Sequence, residues 1–230
     1  MSNEGGRSID DQTTTFLGRL QPAETDDLKE AARARVYKRG STLLNEGDTS
    51  DRVIVITKGR VKVAYFTEDG REVMLAVRGP GDLLGELSAF DLQPHSATAE
   101  AMEEVSALTI SHDAFSSWLT SHPRVALLLL EMLTQRLRDA DVKRVEFTAY
   151  DTVGRVARRL LELSERFGEE TDDGVRIALP LSQEELASWT GCSREAASKA
   201  LQALRKRGLI ETRRRAVTVL DPDGLARRAT

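Results

Sequence analysis

A single cysteine, Cys192, occurs in 230 residues. An intrachain disulfide is excluded, and so is any zinc or iron–sulfur site built from several thiolates. Histidine is nearly as scarce: His95, His112 and His122 are the full set, and no two stand as H-x-H. A cupin-like metal enzyme needs closely spaced histidines beside a carboxylate, so it stays a remote alternative, and no metal is expected. Neither a G-x-x-x-x-G-K phosphate loop nor a G-x-S-x-G nucleophile turn is present, so the chain is read as a non-enzyme with no catalytic residues. Long apolar runs are also missing. The longest aliphatic stretch, Val125–Leu130, is far below the roughly 20 residues that span a bilayer. No basic-then-apolar segment opens the chain. A cytoplasmic protein without a membrane partner is expected.

What is present suits two modest domains, with 40% hydrophobic and 30% charged residues. The formal charge of −4 conceals an asymmetry. Residues 1–150 carry 18 Lys+Arg against 24 Asp+Glu, whereas from Leu186 onward the count is 10 against 4. The basic end fits an anionic partner; a solvated basic surface would give the same count.

Residues 1–20, with Gly5-Gly6 and Asp10-Asp11, read as a disordered leader. Thr25–Arg35 has a helical pattern. From Val36 to about 112, short β-branched runs such as Val53-Ile54-Val55-Ile56 alternate with turn signals such as Lys58-Gly59 and Glu68-Asp69-Gly70, predicting an all-β sandwich or barrel. A long helix follows from Pro123. Along it, Ala126, Leu130, Leu133, Leu137, Ala140, Arg144 and Phe147 repeat at steps of four and three, the seam of a parallel coiled coil. Leu128, Leu129 and Met132 form a second apolar flank able to pack on the β domain. Asp151 is placed to cap a helix over Thr152–Phe167, and Gly168–Gly174 reads as a surface loop.

The C-terminal part carries the most specific pattern. Ser182 and Glu185 form a capping box, Thr190-Gly191-Cys192 a tight turn, and Ser193 caps a second helix that ends before Gly208. Two helices on a short glycine turn form a helix–turn–helix. Ala197, Ala200, Leu201 and Leu204 fall on one side of the second helix; Arg194, Glu195, Ser198, Lys199 and Gln202 fall on the other. Those polar groups suit the donors and acceptors of base edges in a major groove. Leu209–Glu211, Arg213–Arg215 and Val217–Val219 read as a hairpin wing whose arginine tip can neutralise phosphates. Cys192 is expected to pack; a redox role ranks below that.

Leu181–Ile210, centred on Thr190-Gly191-Cys192-Ser193-Arg194-Glu195, closely resembles the recognition motif of the Crp/Fnr family of bacterial transcription regulators. The resemblance extends over the chain from about Phe16. Gly47-Asp48 and Gly59 match the family's cyclic-nucleotide-binding β-roll, Gly85-Glu86-Leu87-Ser88 the start of its phosphate-binding cassette, and Asp151–Ala157 its hinge. The fold implied is α+β: a β-roll (jelly roll) sensor over residues 21–122, a dimerisation helix over 123–150, and a winged helix–turn–helix over 151–230. The resemblance implies Arg194, Glu195 and Lys199 as base readers, Ser182, Gln183 and Ser193 as phosphate contacts, and a half-site similar to TGTGA. Double-stranded DNA, a second copy of the chain and RNA polymerase are the partners it implies.

The family's cassette implies Gly85, Glu86, Leu87, Ser88, His95, Ser96, Ala140 and Asp141 as the positions of a cyclic nucleotide site. This sequence departs there from the family pattern. His95 stands where the family has an arginine, giving up a permanently charged, forked donor. One charge-assisted contact is worth about 1.5–3 kcal/mol, or ~10–100-fold in affinity. Ala140 offers no hydrogen bond where the family places a hydroxyl, and Asp141 adds negative charge that Arg144, one turn on, can offset. Glu86 has two readings: acceptor for a ribose hydroxyl, or cap of its own short helix paired with His95. Cyclic AMP binding is thus expected to be weak or absent, leaving another ligand or ligand-independent DNA binding open.

Overall fold

The computed structural model describes residues 15–49, 51–177, 182–213 and 216–229. Most of the expected leader, together with Leu181, Arg214 and Arg215, lies outside them. The chain divides into two compact units, residues 1–137 and 138–230, and the boundary falls within the long helix.

In the first unit, a single 3₁₀ turn at Leu17–Arg19 precedes helix α1 (Pro22–Ala31). The helix starts and ends earlier than the expected Thr25–Arg35. Gln21 begins it: the Gln21 amide donates to the Glu24 carboxylate at 2.7 Å, and Pro22 sits at the first helical position. Residues 33–37, expected to be partly helical, instead form an edge strand. With it, the described residues of this unit form eight strands in two antiparallel four-stranded sheets. One has the order β1 (Arg33–Tyr37), β8 (Val105–Ser111), β3 (Arg52–Lys58), β6 (Leu83–Leu84). The other has β2 (Thr42–Leu44), β7 (Thr98–Ala101), β4 (Val61–Phe66), β5 (Glu72–Arg78).

The space between the sheets is filled by Leu43, Leu44, Ile54, Ile56, Val61, Leu84, Ala99, Ala101, Val105 and Ala107. The outer face of the first sheet carries a second core. There Val53, Val55, Leu83 and Ile110 meet Phe16, Leu28, and Phe115 and Trp118 of helix α3 (His112–Ser121). Val125, Leu128 and Leu129 of the long helix α4 (Pro123–Ala149) join them. The expected inward flank of this helix therefore packs as read, with Met132 partly buried beside it. Because β3 is covered on both faces, its four residues Val53–Ile56 are all fully buried, which accounts for an apolar run in place of alternation. Helix α2 (Glu86–Asp91) lies between β6 and β7.

The second unit contains α5 (Thr152–Phe167), a hairpin of β9 (Gly168–Thr171) and β10 (Gly174–Ile177), then α6 (Gln183–Thr190), α7 (Arg194–Lys206), the hairpin β11 (Ile210–Arg213) with β12 (Ala216–Val219), and α8 (Pro222–Arg228). Its sheet runs β11-β12-β10-β9. The segment expected as a loop over 168–174 is thus half of a hairpin. Its side chains are exposed, as a loop's would be, but Gly168–Thr171 pairs along β10, whose other edge holds β12. Helix α8 has no counterpart in the sequence reading. Asp221 caps it, accepting from the Gly224 amide at 2.8 Å, and Leu225 is fully buried.

Candidate functional site

The helix–turn–helix forms as its caps dictate. The Glu185 amide donates to Ser182 Oγ at 3.1 Å and the Ser182 amide to Glu185 Oε2 at 2.8 Å, closing the box that starts α6. Gly191 ends α6 in the left-handed region at φ +62°, with the Cys192 amide on the Ala187 carbonyl at 3.0 Å. Ser193 then accepts from the Ala196 amide at 3.2 Å and starts α7. At its far end the Leu209 amide donates to the Leu204 carbonyl and the Gly208 amide to the Arg205 carbonyl, the paired closure expected of a glycine stop. Ala197, Ala200, Leu201 and Leu204 are buried, while Arg194, Glu195, Lys199 and Gln202 are exposed. Ser182, Gln183, Ser193 and Arg213 are exposed too. The Glu195 carboxyl is held below its usual range by its own backbone amide and by Ser193, with Arg194 and Lys199 adding to this, so it stands ionised as an acceptor. Arg213 leads into the wing tip and lies 3.3 Å from Glu211. Cys192 is half-buried, with Sγ 3.1 Å from Thr190 Oγ1.

Contacts that no sequence pattern announced fasten the end of α4 to this motif. Asp151 caps α5 as expected, accepting from the Gly154 amide at 2.7 Å, and Arg228 holds the same carboxylate at 2.6 Å. Arg155 donates through Nε to the Thr190 carbonyl at 2.9 Å and through its NH1 group to the Tyr150 carbonyl at 2.8 Å. One side chain thereby joins the hinge to the end of α6. A Cβ on Gly191 would lie 2.3 Å from the Phe147 ring, so that ring closes directly over the turn. Beside it, Glu146 pairs with Arg159, both 5% exposed, and with Arg158 at 2.6 Å.

In the first unit the cassette is brought together, though with different partners from those expected. Glu86 is buried and its Oε1 accepts from Arg136 of α4; Arg136 also donates to the Leu83 carbonyl at 3.2 Å. His95, 5% exposed, shares a hydrogen bond of 2.9 Å between its Nδ1 and Ser88 Oγ. Of the two readings of Glu86, the one that pairs it with His95 is not met: its partner is Arg136. The reason is electrostatic: burial, reinforced by the neighbouring His112, holds the imidazole below the usual histidine range, so it supplies no countercharge. A guanidinium always does. Gly85 permits the close approach, since a Cβ there would meet the Arg52 carbonyl at 2.9 Å and His95 Cε1 at 3.5 Å. Leu87 and Ser96 are exposed. Sequence reasoning missed Arg136; only its basic character on the long helix hinted at it.

Residues 34–122 match the family model for a cyclic nucleotide-binding domain, and residues 154–228 match that for a Crp-like helix-turn-helix domain. Among curated proteins, the chain is 37% identical over 210 residues to the CRP-like cAMP-activated global transcriptional regulator of Mycobacterium tuberculosis, covering 91% of this chain and 94% of that one. The chain belongs to the Crp/Fnr family of transcription regulators. It is also 30% identical to the cyclic AMP receptor protein of Thermus thermophilus, over 83% of this chain and 85% of that protein. Among solved structures, FixK2 of Bradyrhizobium japonicum shares the fold at a TM-score of 0.77 and 23% identity, covering 86% of this chain and 98% of that one. As a Crp/Fnr member the protein is a DNA-binding transcription regulator with a cyclic-nucleotide-binding-type sensing domain, and not an enzyme. Among the described residues no helix is long and apolar enough to cross a membrane, and no group of three or more His, Cys, Asp or Glu could hold a metal ion.

The remaining positions expected from the Crp/Fnr pattern divide. Ala140 and Asp141 are exposed, and Asp141 lies 3.6 Å from Arg144, the offset anticipated from their spacing. Of the seam, Ala126, Leu130, Leu137, Ala140 and Arg144 are exposed in the single chain. Leu133 is partly buried and packs against the outer core, because the helix presents its apolar flank there. Phe147 is exposed in the single chain too, with one edge of its ring beside Gly191.

Proposed function

We propose that this regulator acts as a cytoplasmic homodimer that reads DNA through α7 and is set by its β-roll, whose ligand is an anionic cyclic nucleotide, cyclic AMP or a close analogue, bound weakly because His95 and Ala140 replace the family's contacts. On this reading residues 21–122 sense, 123–150 dimerise and 151–230 bind DNA, with RNA polymerase as a further partner. The observation that carries the DNA reading is the two-faced α7: a buried Ala/Leu side fixes the helix while Arg194, Glu195 and Lys199 project together at its start. Arg194 and Lys199 donate to guanine edges and Glu195 accepts from cytosine N4. Ser182, Gln183, Ser193 and the wing arginines 213–215 contact backbone phosphates, of which Arg214 and Arg215 lie outside the described residues. Leu130 and Leu137, each more than 60% exposed, supply the apolar seam for a partner helix. The dimer would present its two recognition helices about 34 Å apart, one turn of DNA.

The test compares a selected site with random DNA at matched salt. Arg194→Ala should cost about 1–3 kcal/mol on the selected site alone and relax discrimination at one base pair. Arg213→Ala should weaken both DNAs equally and reduce the salt slope by about one. Equal loss on both DNAs for Arg194→Ala would remove it from base reading.

A further inference from the structure

The buried histidine in the cassette carries a consequence beyond weaker binding. His95 Nδ1 is occupied by Ser88 Oγ, while Nε2, on the other side of the ring, is buried with no hydrogen-bond partner. Its backbone is tied down as well: the His95 amide donates to the Asp48 carbonyl at 3.0 Å, and the Gly47 amide donates to the His95 carbonyl at 2.9 Å. The ring is thus a fixed, buried group beside Ser88 and Gly85 with one nitrogen unsatisfied, an arrangement that invites a ligand acceptor.

The groups around it are of mixed sign. His112 at the start of α3, and after it Arg52 of β3, oppose a positive charge on His95, and His112 Nε2 is likewise buried and unpartnered. Asp48 and Glu86 act in the opposite sense, but Glu86 is neutralised by its contact with Arg136. Without ligand, burial keeps the imidazole uncharged at neutral pH. A phosphodiester placed against Nε2 reverses the balance, because it stabilises the imidazolium through one charge-assisted hydrogen bond. The ligand brings no titration of its own, since a cyclic phosphodiester stays monoanionic between pH 5 and 9.

Building on the reading of the β-roll as a cyclic nucleotide sensor, we propose that ligand binding is coupled to uptake of one proton by His95, so that the protein reads nucleotide and pH together. The sign follows from the two states. Affinity is greatest below the pKa of the free protein, falls up to tenfold per pH unit as pH rises between the free and bound values, and levels off above the bound value. The span is set by one charge-assisted contact, about 10–100-fold in Kd. A family arginine, charged throughout, has no such dependence.

Calorimetry of the full-length protein with cyclic AMP at pH 5.8, 7.0 and 8.2, in two buffers of different ionisation enthalpy, tests this directly. Wild type should bind ~10–100-fold more tightly at pH 5.8 than at pH 8.2, with proton uptake approaching one per site. His95→Arg should bind at least as tightly at pH 8.2 as wild type does at pH 5.8, without pH dependence. His95→Gln, close in shape and folded by circular dichroism, should bind weakly and without slope. A flat wild type beside a binding His95→Arg overturns the proton coupling and leaves the nucleotide site standing. A slope retained in His95→Gln overturns it too, assigning the proton to His112 or a carboxylate. If wild type and His95→Arg both fail to bind at every pH, the nucleotide reading itself falls, and the coupling with it.

Discussion

Replacing Glu146 by Leu, Arg159 by Met, and both together probes the charge cluster that fastens the end of α4 to α5. Both side chains are 5% exposed, so neither charge is solvated by water when its partner is removed. Breaking a buried pair from one side costs about 3–5 kcal/mol. Each residue here keeps a second partner: Arg158 remains for Glu146 at 2.6 Å, and Glu162 remains for Arg159. That lowers the expected loss to about 2 kcal/mol for each single variant. The double variant removes both charges and leaves two apolar side chains, so it should lie within about 1 kcal/mol of wild type, a coupling near 3 kcal/mol. In a unit of this size each single change should lower Tm by roughly 8–16 °C. Trp189 lies in this unit and stacks under both Arg159 and Lys143. Trp118 lies in the other unit, so a Trp118→Phe background makes fluorescence report the second unit alone. A double variant as destabilised as the sum of the two singles, about 4 kcal/mol, would refute the reasoning.

Gly191→Ala should destabilise the second unit by about 1–3 kcal/mol, because φ is +62° and the new methyl meets the Phe147 ring. Adding Phe147→Ala should recover the steric part and leave the backbone part; no recovery in thermal melts would show that the ring does not close over the turn. Asp151→Ala should cost about 1 kcal/mol at pH 7 through the lost cap. Arg228 first, and the Gly154 amide second, hold the Asp151 carboxyl below its usual range. Its contribution is therefore complete above the unfolded pKa near 3.9 and fades as pH falls through the lower folded value. Urea unfolding of wild type and variant should converge in acid, and a gap that widens below pH 4 would contradict the ion pair.

Features fixed by neighbouring residues were legible in the chain. The Ser182–Glu185 box, the Gly191 turn, the Ser193 and Asp151 caps and the Gly208 stop all involve groups within five residues of each other, and each stands where its chemistry requires. The polar face of α7 followed from the same local periodicity. Partnerships across long separations left no such mark. Glu86 and Arg136 are 50 residues apart, and Arg155 meets Thr190 across 35. Nothing in either segment alone selects one arginine from several. The acidic run at 168–174 misled for a related reason: its side chains look like a loop, while its strand exists only because β10 offers an unpaired edge. Leu133, a seam position, also packs partly against the outer core, because the heptad and the inward flank overlap on one helix.

The burial of β3 on both sides has a consequence for how the sensing unit opens. Val53 and Val55 belong to the helical layer, Ile54 and Ile56 to the space between the sheets, so one strand is shared by both cores. Peeling the helices away would bare half of that strand, and parting the sheets would bare the other half. Neither layer can therefore melt alone at small cost. The amides of residues 53–56 should exchange with deuterium only through complete unfolding of the unit, and their protection would give its global stability without any denaturant.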